Sequence, residues 1–303
     1  MKIRNKKVKL TNQGDLSLYF IGTGSAFTKT LNQNNLLIVK GKDHLLIDCG
    51  TKCSQSLHHV DLPISSVKNF LITHSHADHI GGLEEVQLSA RYVSRQKPTM
   101  IINNEYQKIL WEQSLRGGSE QSEARDLTFA DLWSVIRPEK LKDYPRETWG
   151  TDVGSINIKM PRTMHFPVSA NSWKDSAWSC GVIIDDRIFY TSDTRFDRDL
   201  LETYDNNFNF DIIFHDCQLF TAGVHASIDE LSTLPMSLKE KIVLMHYGDN
   251  WQDFRMQASR AGFHSWAQQG KTYTFESRPA SSASHHTTGV TPSQDQEQTS
   301  TGI

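Results

Sequence analysis

The chain has 303 residues, of which 37% are hydrophobic and 22% are charged, as is usual for a globular enzyme with one large domain or two small ones. A formal net charge of -3 gives no overall electrostatic attraction to nucleic acid. No apolar stretch approaches the roughly 18 residues that a membrane span needs, so no membrane partner is expected.

Short apolar runs recur along the chain and predict buried strands. They are rich in Ile, Leu, Val and aromatic residues, and several end directly in a polar or ionisable residue. In chain order the runs are SLYFIG, NLLIVK, HLLIDCG, NFLITH, TMIIN, INIKM, GVIID, RIFYTSD, DIIFHD and KIVLMH. Helical patterns lie between them, and one helix face is marked by Leu83, Val86, Ala90 and Val93. This alternation predicts an α/β fold with functional groups at the carboxyl ends of strands.

The end of the chain differs in composition from the rest. From about Ser277 almost no apolar side chain is available for burial, which predicts a disordered polar tail over 277–303 after a folded domain over 1–276. Four cysteines at irregular spacing favour buried thiols in a reducing cytoplasm over a disulfide framework. We therefore expect a cytoplasmic protein.

The sequence THSHADH at residues 73–79 concentrates metal-binding side chains directly after the apolar run FLI. Imidazole and carboxylate groups suit zinc, iron or manganese. Because side chains alternate along an extended segment, His74 and His76 can turn to one side, whereas Asp78 and His79 can face a second point. The motif therefore predicts two adjacent metal positions.

Three more candidate ligands follow apolar runs further along the chain. They are His165 in TMHFPV, Asp193 in YTSDTRFD and His246 in VLMHYGD. A carboxylate such as Asp193 can bridge two cations. Seven ligands shared between two ions leave coordination positions open for water and substrate.

Taken together, the motifs GTGSA, LLIDCG, THSHADHIGGLEE, TSDT and MHYGD and the isolated His165 resemble the metallo-β-lactamase superfamily. The resemblance implies a four-layered αβ/βα sandwich that holds its metals in a cleft between the edges of two sheets. It implies two divalent metal ions, with ligands His74, His76 and His165 for one, Asp78, His79 and His246 for the other, and Asp193 for both. Zinc is the expected metal, with iron or manganese as alternatives. Asp48 in LLIDCG matches the superfamily's structural aspartate, which orients a ligand.

Two features indicate which activity of the superfamily to expect: an aspartate at position 193, and an acidic residue paired with a histidine outside the ligand set. The β-lactamases of this superfamily usually carry cysteine at that position, whereas aspartate is similar to the dinuclear hydrolases. In ribonuclease Z and related phosphodiesterases, an acidic residue after a strand pairs with a histidine that protonates the leaving oxygen. Asp216 and His225 resemble that pair. The expected catalytic residues are therefore His225, Asp216 and Asp78.

A structural role for His225 is the alternative interpretation. In this case it is a residue near a helix N-terminus, where Ser227 and Glu230 form a capping box.

Segment 117–152 bears on the size of the substrate. Ribonuclease Z grips tRNA with a flexible basic arm, but this segment, interpreted as an insertion, holds eight acidic and five basic residues. Such a balance is a poor match to a phosphate backbone, so a large nucleic acid is not expected as a partner. A small nucleotide substrate such as a cyclic nucleotide fits better, and the chain resembles phage proteins that degrade cyclic-nucleotide immune signals. Tryptophans that could stack on a base are Trp111, Trp133, Trp149, Trp173 and Trp178.

The sequence thus predicts a dinuclear metallohydrolase that cleaves a nucleotide phosphodiester by attack of a metal-bridged hydroxide, with His225 as general acid. A diiron oxygen-binding or redox protein, a ribonuclease Z-like endonuclease and a lactone or ester hydrolase are the alternatives. The redox and ester alternatives do not require the pair of Asp216 and His225. Many members of the superfamily are homodimers, so the resemblance allows a homodimer here.

Overall fold

The computed structural model describes residues 7–276, so the tail predicted at 277–303 lies outside the described residues. Fifteen strands form two sheets within this range. The strands are β1 (Leu16–Gly22), β2 (Asn35–Lys40), β3 (Asp43–Ile47), β4 (Asn69–Leu71), β5 (Thr99–Ile101), β6 (Ser134–Ile136), β7 (Glu139–Lys140), β8 (Thr148–Val153), β9 (Ile156–Pro161), β10 (Val182–Ile184), β11 (Ile188–Tyr190), β12 (Ile212–Asp216), β13 (Ile242–Met245), β14 (Ser265–Trp266) and β15 (Thr272–Phe275). The first sheet has the order β15-β1-β2-β3-β4-β5-β6, and the second has the order β14-β13-β12-β11-β10-β9-β8-β7.

The helices are short and connect the strands. They are α1 (Cys53–His58), α2 (Ala77–Ile80), α3 (Leu83–Ser89), α4 (Asn104–Leu110), α5 (Arg116–Ser119), α6 (Phe129–Leu132), α7 (Arg198–Phe208), α8 (Ile228–Ser232), α9 (Met236–Lys239) and α10 (Arg255–Ala261). Single π-helical segments, Ala90–Ser94 and Trp111–Leu115, continue α3 and α4, and 3₁₀ turns span Ile64–Ser66 and Trp251–Phe254. Among residues 7–276, no helix has both the length and the apolar character that crossing a membrane requires.

Successive side chains along a strand point to opposite faces of its sheet, and both faces are buried. In β2, Leu36 and Ile38 pack between the two sheets, whereas Leu37 and Val39 pack against an outer layer of helices. Helices α1, α3 and α4 cover the first sheet, and α7, α8 and α9 cover the second. Three hydrophobic cores therefore separate four layers, which confirms the predicted αβ/βα sandwich.

All ten apolar runs singled out in the sequence are strands. The strands that the sequence did not predict are β6, β7, β8, β14 and β15, which are edge strands except for β8, the neighbour of β7. Edge strands carry more exposed residues, as in β7, where both residues are exposed. That exposure removes the apolar signal on which the sequence prediction depends.

One predicted helix face is only partly buried. Leu83, Val86 and Ala90 are buried as predicted, but Val93 is 77% exposed. The π-helical segment Ala90–Ser94 explains the difference, because its wider turn shifts the side chains that follow out of the α-helical phase.

Segment 117–152 was wrongly interpreted as an insertion. It contains α6, β6, β7 and most of β8. Strand β6 pairs with β5 in the first sheet, and β7 pairs with β8 in the second. The segment therefore crosses from one sheet to the other and completes an edge of each.

The polar residues at strand ends share one edge of the sandwich. Strands β3, β4 and β5 run parallel in the first sheet, and β11, β12 and β13 run parallel in the second. The carboxyl ends of parallel strands meet at one sheet edge, where ligand sites of α/β folds are built. An isolated bridge between Gly24 and Tyr247 joins the loops of the two sheets at this edge.

Candidate metal centre

The seven predicted ligands lie together at this edge. Two groups, each with its ligand atoms within 4.8 Å of one another, consist of His74, His76, His165 and Asp193, and of Asp78, His79, Asp193 and His246. Asp193 is the member common to both groups, which is the position expected for a bridging carboxylate. All seven side chains are buried except that of His76, which is half-buried.

Local structure explains how neighbouring residues in one motif reach two positions. Strand β4 ends at Leu71, and the loop after it carries His74 and His76. Helix α2 begins at Ala77, so Asp78 and His79 lie in its first turn and face a different direction. The remaining ligands come from the loops that follow β9, β11 and β13.

The inner atoms of the first group are nitrogens that face one another. His76 Nδ1 lies 3.0 Å from His74 Nε2 and 3.3 Å from His165 Nε2. Burial lowers the pKa of His165 to about 4, so this imidazole is neutral near pH 7 and its lone pair is available. Three such nitrogens around a common point suit a divalent cation.

The second group surrounds a carboxylate. His79 Nε2 lies 3.2 Å and His246 Nε2 3.3 Å from Asp193 Oδ2, and both nitrogens are equally close to Asp78 Oδ2. The other oxygen, Asp193 Oδ1, is buried and has no hydrogen-bond partner among residues 7–276. A buried carboxylate oxygen without a partner is costly, and metal coordination would satisfy it. The residues present therefore fit a pair of divalent metal ions.

The outer ring nitrogens of four of these histidines have acceptors of their own. The pairs are His79 Nδ1 with Asp48 Oδ2 at 2.7 Å, His165 Nδ1 with Val224 O at 2.8 Å, His74 Nδ1 with Thr73 Oγ1 at 3.2 Å, and His246 Nδ1 with Asp216 Oδ1 at 3.2 Å. Each pair favours a proton on the outer nitrogen and leaves the inner nitrogen free to bind a metal. Asp48 thus occupies the orienting position that the resemblance implied.

Thr73 is a positioning residue that the sequence prediction missed. Its buried hydroxyl lies 2.9 Å from Asp48 Oδ2, accepts a hydrogen bond from Ser192 Oγ at 2.8 Å, and lies 3.2 Å from His74 Nδ1. One hydroxyl has one proton to donate and two lone pairs to accept with, so these three partners saturate it. Because Asp48 also holds His79, Thr73 links ligands of both metal positions. Its position at the start of THSHADH was the only signal in the sequence.

Three residues of the centre have left-handed backbone conformations. The φ angles are 61° at Asp48, 52° at Ser192 and 57° at His246. Each residue lies within two positions of a strand end, where the chain turns towards the cleft. Such conformations cost about 1–3 kcal/mol each in residues other than glycine and persist where surrounding contacts enforce them. The hydrogen bonds of Asp48, Ser192 and His246 described above provide that enforcement.

Asp216 and His225 form the predicted pair next to the two groups. His225 Nδ1 lies 2.6 Å from Asp216 Oδ2, which also accepts a hydrogen bond from Thr194 N at 3.0 Å. Asp216 Oδ1 accepts from His246 Nδ1, a second function that the sequence did not indicate. Burial disfavours the charged form of His225, but the Asp216 carboxylate outweighs this effect and raises the pKa of His225 above its ordinary value.

The capping box predicted from Ser227 and Glu230 is present at the start of α8. The ring of His225, however, contacts Asp216 rather than this helix, and its centroid lies 4.9 Å from that of His165 and 4.8 Å from that of His246. The helix start therefore fixes the loop while the imidazole borders the metal centre.

The predicted stacking function of the tryptophans does not match their surroundings. Trp111 and Trp133 are buried in the core over the first sheet, and Trp149 packs against the core between the sheets. Trp178 stacks on Tyr106 at 5.5 Å, and the guanidinium of Arg162 lies 4.5 Å from its ring. Trp173 is half-buried, with the Lys174 ammonium over its ring at 5.5 Å.

The four cysteines, Cys49, Cys53, Cys180 and Cys217, are buried and free. None of them belongs to the histidine–carboxylate groups found within residues 7–276. Buried, unpaired thiols agree with the expectation from their irregular spacing.

The αβ/βα sandwich and the histidine–aspartate groups at its edge define a metallo-β-lactamase-fold protein with the ligand set of a metal-dependent hydrolase. A family model described as "Anti-Pycsar protein Apyc1" matches residues 16–273, and the chain belongs to this family. The Anti-Pycsar protein Apyc1 of Bacillus phage BSP38 is 40% identical over 258 residues, which cover 84% of this chain and 96% of the relative. That of Bacillus phage 010DV004 is 39% identical over 268 residues, covering 85% and 98%.

Solved structures show the same fold at low sequence identity. The metallo-β-lactamase fold protein YhfI from Bacillus subtilis has a TM-score of 0.65 at 16% identity, covering 86% of this chain and 100% of that one. A diphosphatase from the PhnP family has a TM-score of 0.61 at 15% identity, covering 86% and 98%. The short form of human tRNase Z has a TM-score of 0.57 at 17% identity, covering 85% and 98%. These likenesses confirm the predicted fold.

Proposed function

We propose that the protein is a phosphodiesterase that hydrolyses a small cyclic nucleotide at the candidate metal centre. The observation that carries this proposal is the pair of Asp216 and His225, joined at 2.6 Å and in ring contact with two of the predicted metal ligands. A proton donor in this place suits a reaction with a poor leaving group. An oxygen-binding diiron site or an ester hydrolase has no need of one.

The predicted ligands would hold two divalent cations, and Asp193 belongs to both groups of ligands. Zinc is the metal we propose. When bound, such ions supply Lewis acidity for the phosphoryl oxygens and lower the pKa of a coordinated water towards about 7. The chain's own contribution is to hold the proton on each outer ring nitrogen and to align the inner nitrogen, through Asp48, Thr73, Asp216 and the Val224 carbonyl.

His225 would supply the leaving group with its proton. Hydrolysis of a cyclic nucleotide releases a ribose oxygen, which is a poor leaving group unless it is protonated. In the protonated imidazole both nitrogens carry hydrogen, and the Nδ1–H is donated to Asp216. The Nε2–H remains for the departing oxygen. Asp216 favours this protonated state and fixes the ring orientation.

Two observations favour a small nucleotide over tRNA as the substrate. Segment 117–152 forms sheet edges and a short helix, and is acidic overall, so it is not suited to grip tRNA. The relatives are named Anti-Pycsar proteins, which agrees with the resemblance to phage proteins that degrade cyclic-nucleotide signals.

The decisive experiment combines elemental analysis with a hydrolysis assay on 3′,5′-cyclic nucleotides. We expect about two metal equivalents per chain and conversion of the cyclic nucleotide to a linear one. Asp193→Ala should abolish turnover in a folded protein, whereas Asp253→Ala, a change at an exposed aspartate outside the centre, should not. A protein that holds two irons, binds oxygen and cleaves no phosphodiester would support the redox alternative instead.

A further inference from the structure

Phe166 lies beside the candidate metal centre and is partly open to solvent. Its ring centroid is 4.8 Å from that of His76 and 4.7 Å from that of His165, with interplanar angles of 85° and 87°. Both histidines belong to the same group of predicted ligands. Nevertheless, 39% of Phe166 is exposed. The ring therefore borders the metal centre on one side and solvent on the other.

The backbone around Phe166 is held in place. The Phe166 carbonyl accepts hydrogen bonds from Ala177 N at 2.7 Å and from Ser176 Oγ at 2.9 Å. Ser176 Oγ also accepts from His165 N at 2.9 Å, so one hydroxyl joins the backbone of a predicted ligand to that of the aromatic residue. An aromatic side chain on a restrained backbone has little conformational freedom to lose when a ligand binds. Such a ring is suited to binding.

Other aromatic side chains lack this combination of contact and exposure. Trp111 and Trp133 are buried, and the ring of Trp178 is engaged by other side chains. Phe27 and Phe220 are more exposed, at 85% and 67%, but within residues 7–276 neither makes a ring contact with a predicted ligand. Among the Phe, Tyr and Trp side chains of residues 7–276, Phe166 is thus the one that is partly exposed and in ring contact with predicted ligands.

The chemistry of the proposed substrate matches this position. In a nucleotide whose phosphodiester lies at the metals, the base is one sugar ring away from the phosphate. An aromatic ring next to the metal ligands can therefore contact that base. Stacking on an aromatic side chain stabilises a bound base. Resting on the proposed function, we infer that Phe166 binds the nucleobase of the substrate by stacking.

The test compares Phe166→Ala, Phe166→Leu and Phe166→Tyr on two substrates. One is a 3′,5′-cyclic nucleotide, and the other is the 3′,5′-cyclic phosphate of 1-deoxyribose, which has no base. Phe166→Ala should raise KM for the nucleotide about 5- to 150-fold with little change in kcat, and should leave the compound without a base unaffected. Phe166→Tyr should retain the wild-type KM, and Phe166→Leu should not. Phe27→Ala is the matched control at another exposed phenylalanine and should behave as wild type.

Each of the following results would overturn the inference. Equal losses on both substrates, or loss of metal from Phe166→Ala, would show that the ring only supports His76 and His165. A wild-type KM in Phe166→Leu would show that apolar cover suffices. If the wild-type protein hydrolyses neither substrate, the proposed function fails separately. Calorimetric binding of the same cyclic nucleotide then tests the stacking, and equal affinity of wild type and Phe166→Ala would refute it.

Discussion

Replacing His225 by alanine separates general-acid catalysis from metal binding. The change removes a side chain that is 23% exposed and that donates to Asp216 at 2.6 Å. Asp216 keeps its hydrogen bonds from Thr194 N at 3.0 Å and His246 Nδ1 at 3.2 Å, so no buried carboxylate is left without a partner. We therefore expect a folded protein that has lost roughly 1.5–3 kcal/mol of stability, the value of one hydrogen bond to a charged group.

The effect on turnover should depend on the leaving group. A general acid contributes about 10²–10⁴-fold, or about 3–5 kcal/mol at the barrier. His225→Ala should lose this factor on a cyclic nucleotide, whose ribose oxygen needs a proton. It should lose far less on bis(p-nitrophenyl) phosphate, because the nitrophenolate departs without one.

The assay measures kcat on both substrates, metal content by elemental analysis and the melting temperature, with His58→Ala as a control at an exposed histidine outside the centre. Equal losses on both substrates together with loss of metal would refute the assignment. His225 would then be a ligand, which the proximity of its ring to Asp193, Asp216 and His246 permits.

Asp216→Asn should reduce turnover on both substrates and weaken metal binding about 10- to 100-fold. The reason is that the new amide N–H group would face N–H donors whose hydrogen bonds the carboxylate now accepts. Unchanged metal affinity in a chelator titration would contradict this. Thr73→Val keeps the side-chain shape but removes the hydroxyl shared by Asp48, Ser192 and His74, so metal affinity should again fall about 10- to 100-fold, and Thr73→Ser should restore it. Because Asp216 raises the pKa of His225, the protonated acid is present below that pKa and is lost as pH rises through it; turnover of a cyclic nucleotide should therefore fall on the alkaline side of the ordinary histidine value of about 6.5, and this limb should be missing from the pH profile of His225→Ala. Ending the chain after Ser277 should change neither the melting temperature nor turnover, because the removed residues have almost no apolar side chains to pack; a large loss of either would show that the tail docks.

The strands and the grouping of the candidate ligands could be predicted because both have short-range signatures. Buried strands need uninterrupted apolar runs, and all ten such runs are strands. The candidate ligands come shortly after those runs, as His246 follows β13, and parallel strands carry all of them to one edge except His165, which follows the antiparallel strand β9. The edge strands and the exposed Val93 were missed because neither polar edges nor a π-helical turn leaves such a signature.

The sequence by itself thus determined the layered fold, the identity of the candidate ligands and their order along the chain. Only the tertiary structure showed that Thr73 and Asp216 also support them and which aromatic ring borders them. The hydrogen bonds of Thr73 with Ser192 and of Asp216 with His246 join residues 119 and 30 positions apart. Likewise, Trp133 and Phe166 differ in exposure because of what packs over each ring. Such contacts depend on how the two sheets and their loops meet in space, and local residue patterns do not encode that distance.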